Sequence, residues 1–415
     1  MITMEESEIL EEHAEQAAFL WALRDAASID VLYDLGDLCA LDDRLEANID
    51  GLRLAGDEGA RTAQAALDHA DVGAAFTAAV LAVEIRDLPG IARVLDLAER
   101  NPVLASGVKA ALGWAPLEAF VSIVPGLLAS FCPPGMQILG IAGCSLHRTD
   151  PGPSLDFALH SANPHLRAEA LRAAGELGRV DLRPAVRDAL RGEEDEVCRF
   201  TAAWTMALWG EPEAARVLSS LAERGGPLAE QASAMVVRSM PQPAARTWVH
   251  GLARSGEGLR AALAGAAALG DAAMVPWLIE HMADPAAARF AAAAMTMITG
   301  VDFHRDKLEG KAPAGFSAGP TDDPDDDDVA MDPDESFPWP DTAAVQRWWS
   351  KKGSAFRSEQ RYLVGRPIEP VWLEEVLRSG NQHARAGAAV ELRLAGRHKA
   401  LFEVRGRGER QRQKL

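Results

Sequence analysis

PHLRAEALRAAGELGRVDLRPAVRDAL, residues 164–190, is the stretch whose reading decides the fold. It reads as two short amphipathic helices joined by a tight turn at Gly178. Leu166, Ala170, Ala173, Ala174 and Leu177 fall at helical spacings and make one apolar stripe. Gly178 stands where a helix C-terminus needs a residue that tolerates positive φ. Pro184 lies near the start of the second helix, where a missing N–H costs nothing. Val186, Ala189 and Leu190 then face the same side. Neither helix is long enough to hold its shape alone, so each requires neighbours.

The unit recurs along the chain. Helix-ending glycines at Gly178, Gly210, Gly270 and Gly300 are separated by 32, 60 and 30 residues. Phe-Thr-Ala-Ala occurs at Phe76 and at Phe200, and Arg-Phe at Arg199 and at Arg289; these separations, 124 and 90, are multiples of about 30. Weaker copies lie at Met136–Leu159, Leu228–Leu252 and Ser106–Leu128. Two helices per step of 30–32 residues predict an all-α fold, an α-solenoid of helix pairs. The alternative is an alanine-rich helical bundle without a true repeat. The tetratricopeptide and ankyrin signatures are absent. Arg167-Ala168-Glu169-Ala170-Leu171 followed by Glu176-Leu177-Gly178 resembles the short HEAT-like repeat first associated with bilin lyases, so the expected fold is a solenoid of HEAT-like helix pairs.

Around this core the chain divides into an N-terminal helical cap (1–56), the repeats (57–303), an acidic Pro/Gly-rich insert expected to be disordered (304–340) and a small C-terminal helical region (341–415). The cap holds a helix over 5–27, with Ile9, Ala17, Leu20, Trp21 and Ala27 inward. A second helix, near 34–55, carries the stripe Leu38, Leu41, Leu45, Ile49 and Leu52, with Asp42 among the residues on its polar side. The insert has nine acidic residues between Asp322 and Glu335 and little to bury. It lacks the glycine and the bidentate glutamate of a calcium-binding EF-hand loop. After it, Asp341 caps a helix over 342–352 that stops at Gly353; residues 361–368 read as extended. A helix pair follows at 370–378 and 383–394, and the basic tail VRGRGERQRQKL reads as frayed.

Composition narrows the function. The chain has 415 residues, 48% hydrophobic but only 6% aromatic, which suits helices packed closely through alanine. A net charge of −19 argues against nucleic acid and against an anionic membrane surface as partners. The four cysteines are scattered without a CxxC and read as buried free thiols in a reducing compartment. No signal peptide or membrane span is read, and the expected location is cytoplasmic.

Phosphate-loop, dinucleotide-binding and nucleophile-elbow motifs are missing. The ten histidines form no His-Glu dyad of the kind that holds iron in deoxyhypusine hydroxylases. No catalytic, cofactor-binding or metal-binding residue is assigned, and no cofactor is expected. Trp204, Trp209, Trp248 and Trp277 read as fillers between helix layers. Second helices of such solenoids line the concave face, so Arg246, His250, Trp277, Glu280 and His281 are candidate partner contacts. A weaker possibility makes Arg246, His250, Glu280 and His281 an enzyme site.

Taken end to end, AAFLWALRDAA (17–27), LDDRLEANIDGLRLAG (41–56), the repeats, RYLVGRPI (361–368), WLEEVLRSGNQHARAGAAVELRLA (372–395) and LFEVR (401–405) resemble a family of uncharacterised bacterial HEAT-like proteins encoded near type VI secretion tip and cargo genes. The resemblance implies a non-enzymatic interaction scaffold, an adaptor or chaperone whose partner is a secretion tip or effector protein. The alternative is an immunity or regulatory partner of a toxic cargo. The sequence does not fix an oligomeric state.

Overall fold

In a computed structural model, which describes residues 4–69, 71–255, 258–316, 318–319 and 331–415, the apolar periodicity becomes a succession of helix pairs. In chain order the helices are α1 (Met4–Ala27), α2 (Leu35–Leu54), α3 (Asp57–Ala66), α4 (Val72–Glu84), α5 (Leu88–Arg100), α6 (Ala105–Trp114), α7 (Leu117–Leu127), α8 (Pro134–His147), α9 (Pro153–Leu159), α10 (Pro164–Leu177), α11 (Arg183–Gly192) and α12 (Glu196–Leu208). They continue with α13 (Ala214–Arg224), α14 (Ala229–Ser239), α15 (Gln242–Ala253), α16 (Leu259–Leu269), α17 (Val275–His281), α18 (Ala288–Thr299), α19 (Thr342–Lys352), α20 (Pro370–Ser379), α21 (Gln382–Leu394) and α22 (Gly408–Arg412). A two-stranded antiparallel ribbon pairs β1 (Tyr362–Leu363) with β2 (Arg366–Pro367). From α8 on, the first helices of successive pairs start at Pro134, Pro164, Glu196, Ala229, Leu259 and Ala288, steps of 29 to 33 residues. The fold is the all-α repeat solenoid that the glycine spacing predicts.

The chain forms two compact units. The first comprises Met1–Thr205, Arg378–Gln382 and His398–Leu415; the second comprises Met206–Leu377 and His383–Arg397.

In the first unit α1 and α2 share their core with the helices that follow. Leu10, Trp21, Leu45, Ile49, Phe76, Phe120 and Cys144 belong to one core that runs from α1 to α8. Phe76 stacks on Trp21 with ring centroids 5.3 Å apart and meets Trp114 edge-on at 5.6 Å. Two sequence assignments fail in this region. Ile9 is 53% exposed, because Leu10 and Ala14 take the inward positions of α1. Asp42 is buried rather than solvated: its Oδ1 accepts from Arg24 Nε at 2.8 Å, and both residues are 5% exposed.

That buried pair involves the chain's C-terminal segment, which is packed rather than frayed. Arg24 Nη2 donates to the Gly406 carbonyl at 2.6 Å, and the Gly408 N–H donates to Asp42 Oδ2 at 2.6 Å. Further along, Arg410 donates to the Gly113 carbonyl at 2.7 Å and, at longer range, to those of Trp114 and Ala115. The Leu401 N–H donates to the Glu176 carbonyl at 2.7 Å. Helix-terminal carbonyls have no partner inside their own helix; here residues 398–410 supply donors to the ends of α6 and α10.

The second unit uses the same device. Arg361 donates to the carbonyls of Ala268 and Leu269 at the end of α16, and its Nη2 pairs with Glu391 at 2.6 Å. Tyr362 N–H donates to Gly270, Val364 N–H to Met297 and Gly365 N–H to Ile298. The repeat glycines Gly178, Gly210, Gly270 and Gly300 all have the expected positive φ, 67° to 78°. Three of them do more than turn the chain: a Cβ on Gly178 would stand 2.0 Å from the Lys399 carbonyl oxygen, one on Gly270 2.2 Å from that of Tyr362, and one on Gly300 2.8 Å from that of Val364.

The ends of the 304–340 insert are ordered, contrary to the composition-based expectation. Glu309 bridges to Pro340, Gly310 N–H donates to Trp339 and Asp341 N–H donates to Leu308. The acidic run at 320–330 lies outside the described residues. Asp341 caps α19 by accepting from the Ala344 N–H. Trp204, Trp209, Trp248 and Trp277 are half-buried rather than core fillers, while Phe76 and Phe120 fill the interior of the first unit. Of the four cysteines, Cys39, Cys144 and Cys198 are buried and Cys132 is not fully so. Among the described residues no helix is long and apolar enough to cross a membrane.

Two tests follow from this packing. Gly210→Ala meets no atom within 4 Å and carries only the left-handed backbone cost, about 1 kcal/mol. Gly178→Ala must also displace residue 399 and is expected to cost about 3 kcal/mol or more by urea denaturation. The second test is pH. Burial, then the nearby Arg410, lowers the pKa of His147 to about 4, while its ring donates to the Leu112 carbonyl and stacks on Phe120. The unfolded chain therefore binds the extra proton first, so stability falls by roughly 3 kcal/mol as pH drops from 6.5 towards 4 and is flat above. Burial alone would raise the Glu176 carboxyl, but Arg172 and Arg148 outweigh it and hold it at about 2, adding a loss between pH 4.5 and 2. His147→Gln is expected to remove the upper part of the slope and leave the lower.

Candidate functional site

Five residues were singled out by sequence, and the second unit places them on two second helices. α15 carries Arg246 and His250; α17 carries Trp277, Glu280 and His281. Each helix sets its pair four residues apart, hence on one face. α17 is positioned by the 3-10 turn Ala272–Met274, whose preceding residue Asp271 accepts from the Ala273 N–H at 3.0 Å. The Asp271 side chain is wholly buried, and Arg246 Nε donates to its Oδ2 at 2.7 Å, tying α15 to the start of α17.

Trp277 is the centre of the cluster. His250 meets its ring edge-on at 5.3 Å and His281 does so at 4.6 Å. All three rings are half-buried and Glu280 is exposed. Burial lowers the His250 pKa, Arg254 and Arg246 lower it further, and Glu280 opposes them. His250 is thus a neutral ring at pH 7. The structure brings His250, Trp277 and His281 into one aromatic row and commits Arg246 to Asp271. An indole flanked by two imidazoles offers much contact area with few rotatable bonds. Among the described residues no group of three or more His, Cys, Asp or Glu is placed to hold a metal ion.

A second surface escaped the sequence reading. Residues 331–339 lie against the starts of α16 and α18. Arg260 pairs bidentately with Asp334 at 2.7 and 2.9 Å while its Nε reaches Glu230 at 2.7 Å. Arg289 pairs with Asp332 and lies over the Trp339 ring at 4.6 Å. Phe337 stacks on Phe290 at 5.9 Å, and the Arg260 guanidinium lies over the Phe290 ring at 4.4 Å. A signal was available: Arg260 and Arg289 stand one repeat apart, each second in its helix, opposite an Asp-Pro-Asp with matching charge.

Residues 153–238, covering α9 to α14, match the HEAT repeats family. No curated protein and no solved structure matches the chain. The match supports a HEAT-like repeat protein.

Asp332→Asn combined with Asp334→Asn is expected to release the 331–339 segment. Its amide hydrogen exchange should rise about tenfold or more while α18 keeps its protection; unchanged exchange would show that the aromatic contacts alone hold it.

Proposed function

We propose that this chain is a non-enzymatic protein-interaction scaffold, and specifically a cytoplasmic adaptor or chaperone for a type VI secretion tip or effector protein. HEAT repeats generally mediate protein–protein interactions, because stacked helix pairs present long rows of side chains to a partner. The observation that carries the reading is the half-exposed His250–Trp277–His281 row on successive second helices. The low net charge balance, −19, favours a protein over a nucleic acid or an anionic membrane. The likeness of residues 17–56 and 361–405 to the bacterial family encoded beside secretion genes supplies the partner class.

The test is affinity purification of the full chain from its native bacterium, followed by measured binding of the recovered tip or effector protein. Trp277→Ala is expected to weaken that binding about thirtyfold, the loss of about 2 kcal/mol typical of a buried aromatic anchor. Val371→Ala, at a site 81% exposed in α20, should leave it unchanged. Deleting 320–330 leaves Asp332 and Asp334 in place and asks whether the acidic run docks the partner. If the Trp277 variant binds as the wild type does, the row is not the docking surface. If deleting the gene poisons the cell, the chain is an immunity partner instead.

A further inference from the structure

The first unit contains a cavity of about 260 Å³ between the end of α8 and residues 398–414. Its wall carries Arg148, Lys399, Arg407, Arg410 and Lys414 against a single carboxylate, Glu403. A charge count of the ion pairs is informative. Arg148 is matched by Glu403 at 3.1 Å, with Glu176 behind it, and Arg407 is matched by Glu46 at 3.1 Å. Lys399 stands near Asp181. Arg410 meets only backbone carbonyls, and no carboxylate among the described residues pairs with Lys414. Two positive charges are left facing one cavity.

Such an arrangement is costly. Partial burial lowers the pKa of the Lys414 amine although the residue is exposed overall, and Arg410 and Arg148 lower it further. Burial and then Arg407 lower that of Arg410, and Glu403, already engaged by Arg148, opposes both shifts. The backbone bears a cost here as well. Arg148 caps α8 at φ 58°, ψ 38°, thirty residues before Gly178, at the position where the repeat places a glycine. A left-handed non-glycine residue is strained and is a recurrent mark of functional sites. In return, the guanidinium is directed into the cavity wall, where it donates to the Leu401 carbonyl at 2.7 Å. In a chain of net charge −19, general attraction for anions is absent, so an anion held here is held by local geometry.

We propose that this cavity binds a phosphate group, whose two negative charges match the surplus on Arg410 and Lys414. The wall residues Leu146, Leu401 and Phe402 leave room for a small organic moiety attached to it. A phosphorylated metabolite and a phosphorylated side chain of a partner protein present the same chemistry.

The test is calorimetric titration of the full chain with inorganic phosphate at pH 7.5 and fixed ionic strength, with chloride and acetate as controls. Saturable one-to-one binding of phosphate is expected, with acetate at least tenfold weaker because it supplies one charge. Lys414→Gln, an exposed site whose loss spares the packing of residues 398–410, is expected to weaken phosphate about tenfold. A phosphoserine peptide that binds more tightly than inorganic phosphate identifies a protein source; glycerol phosphate binding more tightly identifies a metabolite. Phosphate heats no larger than those of chloride, or an unchanged affinity in Lys414→Gln, would overturn the proposal.

Discussion

Every α-helix ends with carbonyls that its own hydrogen-bond ladder cannot reach, and a stack of many short helices multiplies that problem. The molecule meets it twice in the same way. Residues 361–365 lay their N–H groups and one arginine along the ends of α16 and α18. Residues 398–410 do likewise for α6 and α10. Gly178, Gly270 and Gly300 thereby serve two needs at once, a left-handed turn and a bare surface against which another strand of chain can lie. Where the capping segment passes the Arg24–Asp42 pair of α1 and α2, the ion pair can be buried because the Gly406 carbonyl and the Gly408 N–H give its remaining polar atoms backbone partners.

Much of this was legible in the sequence because it is local and periodic. The 30-residue step, the caps at Asp341 and Pro184 and the extended 361–368 segment depend on residues near one another in the chain, and glycine spacing reports them directly. What escaped was non-local. VRGRGERQRQKL resembles a solvated tail by composition, yet Arg410 is matched to carbonyls about 300 residues earlier, and Arg407 to Glu46. Asp42 sits in a run of charges on α2 and reads as surface until Arg24 is placed opposite it. The same holds for Asp332 and Asp334: an acidic segment cannot bury itself, but it can be held by arginines that recur with the repeat.

The placement of the five candidate residues was legible in part for the same reason. Helical spacing put Arg246 with His250 and Trp277 with His281, while the bond between the two helices through Asp271 required a turn whose position no periodicity reveals. Half-burial of the four middle tryptophans also departs from the usual bias of aromatics towards the core. Trp21 and Trp114 are buried against Phe76 in the first unit, whereas these four rings are only half-buried.

The packing of residues 398–415 bears on how the chain is born. Arg24 is joined to Gly406 across 382 positions, and the second unit is made almost entirely between those two partners. During synthesis α1 and α2 therefore emerge with a buried-type charge still unmatched, and wait while the whole of 206–377 is translated. The usual order, in which the N-terminal part of a protein folds first, is reversed for this contact. The α1–α8 core contains no residue of this segment and can form earlier, but Arg24 and Asp42 keep their remaining polar atoms in water until residues 406–408 arrive.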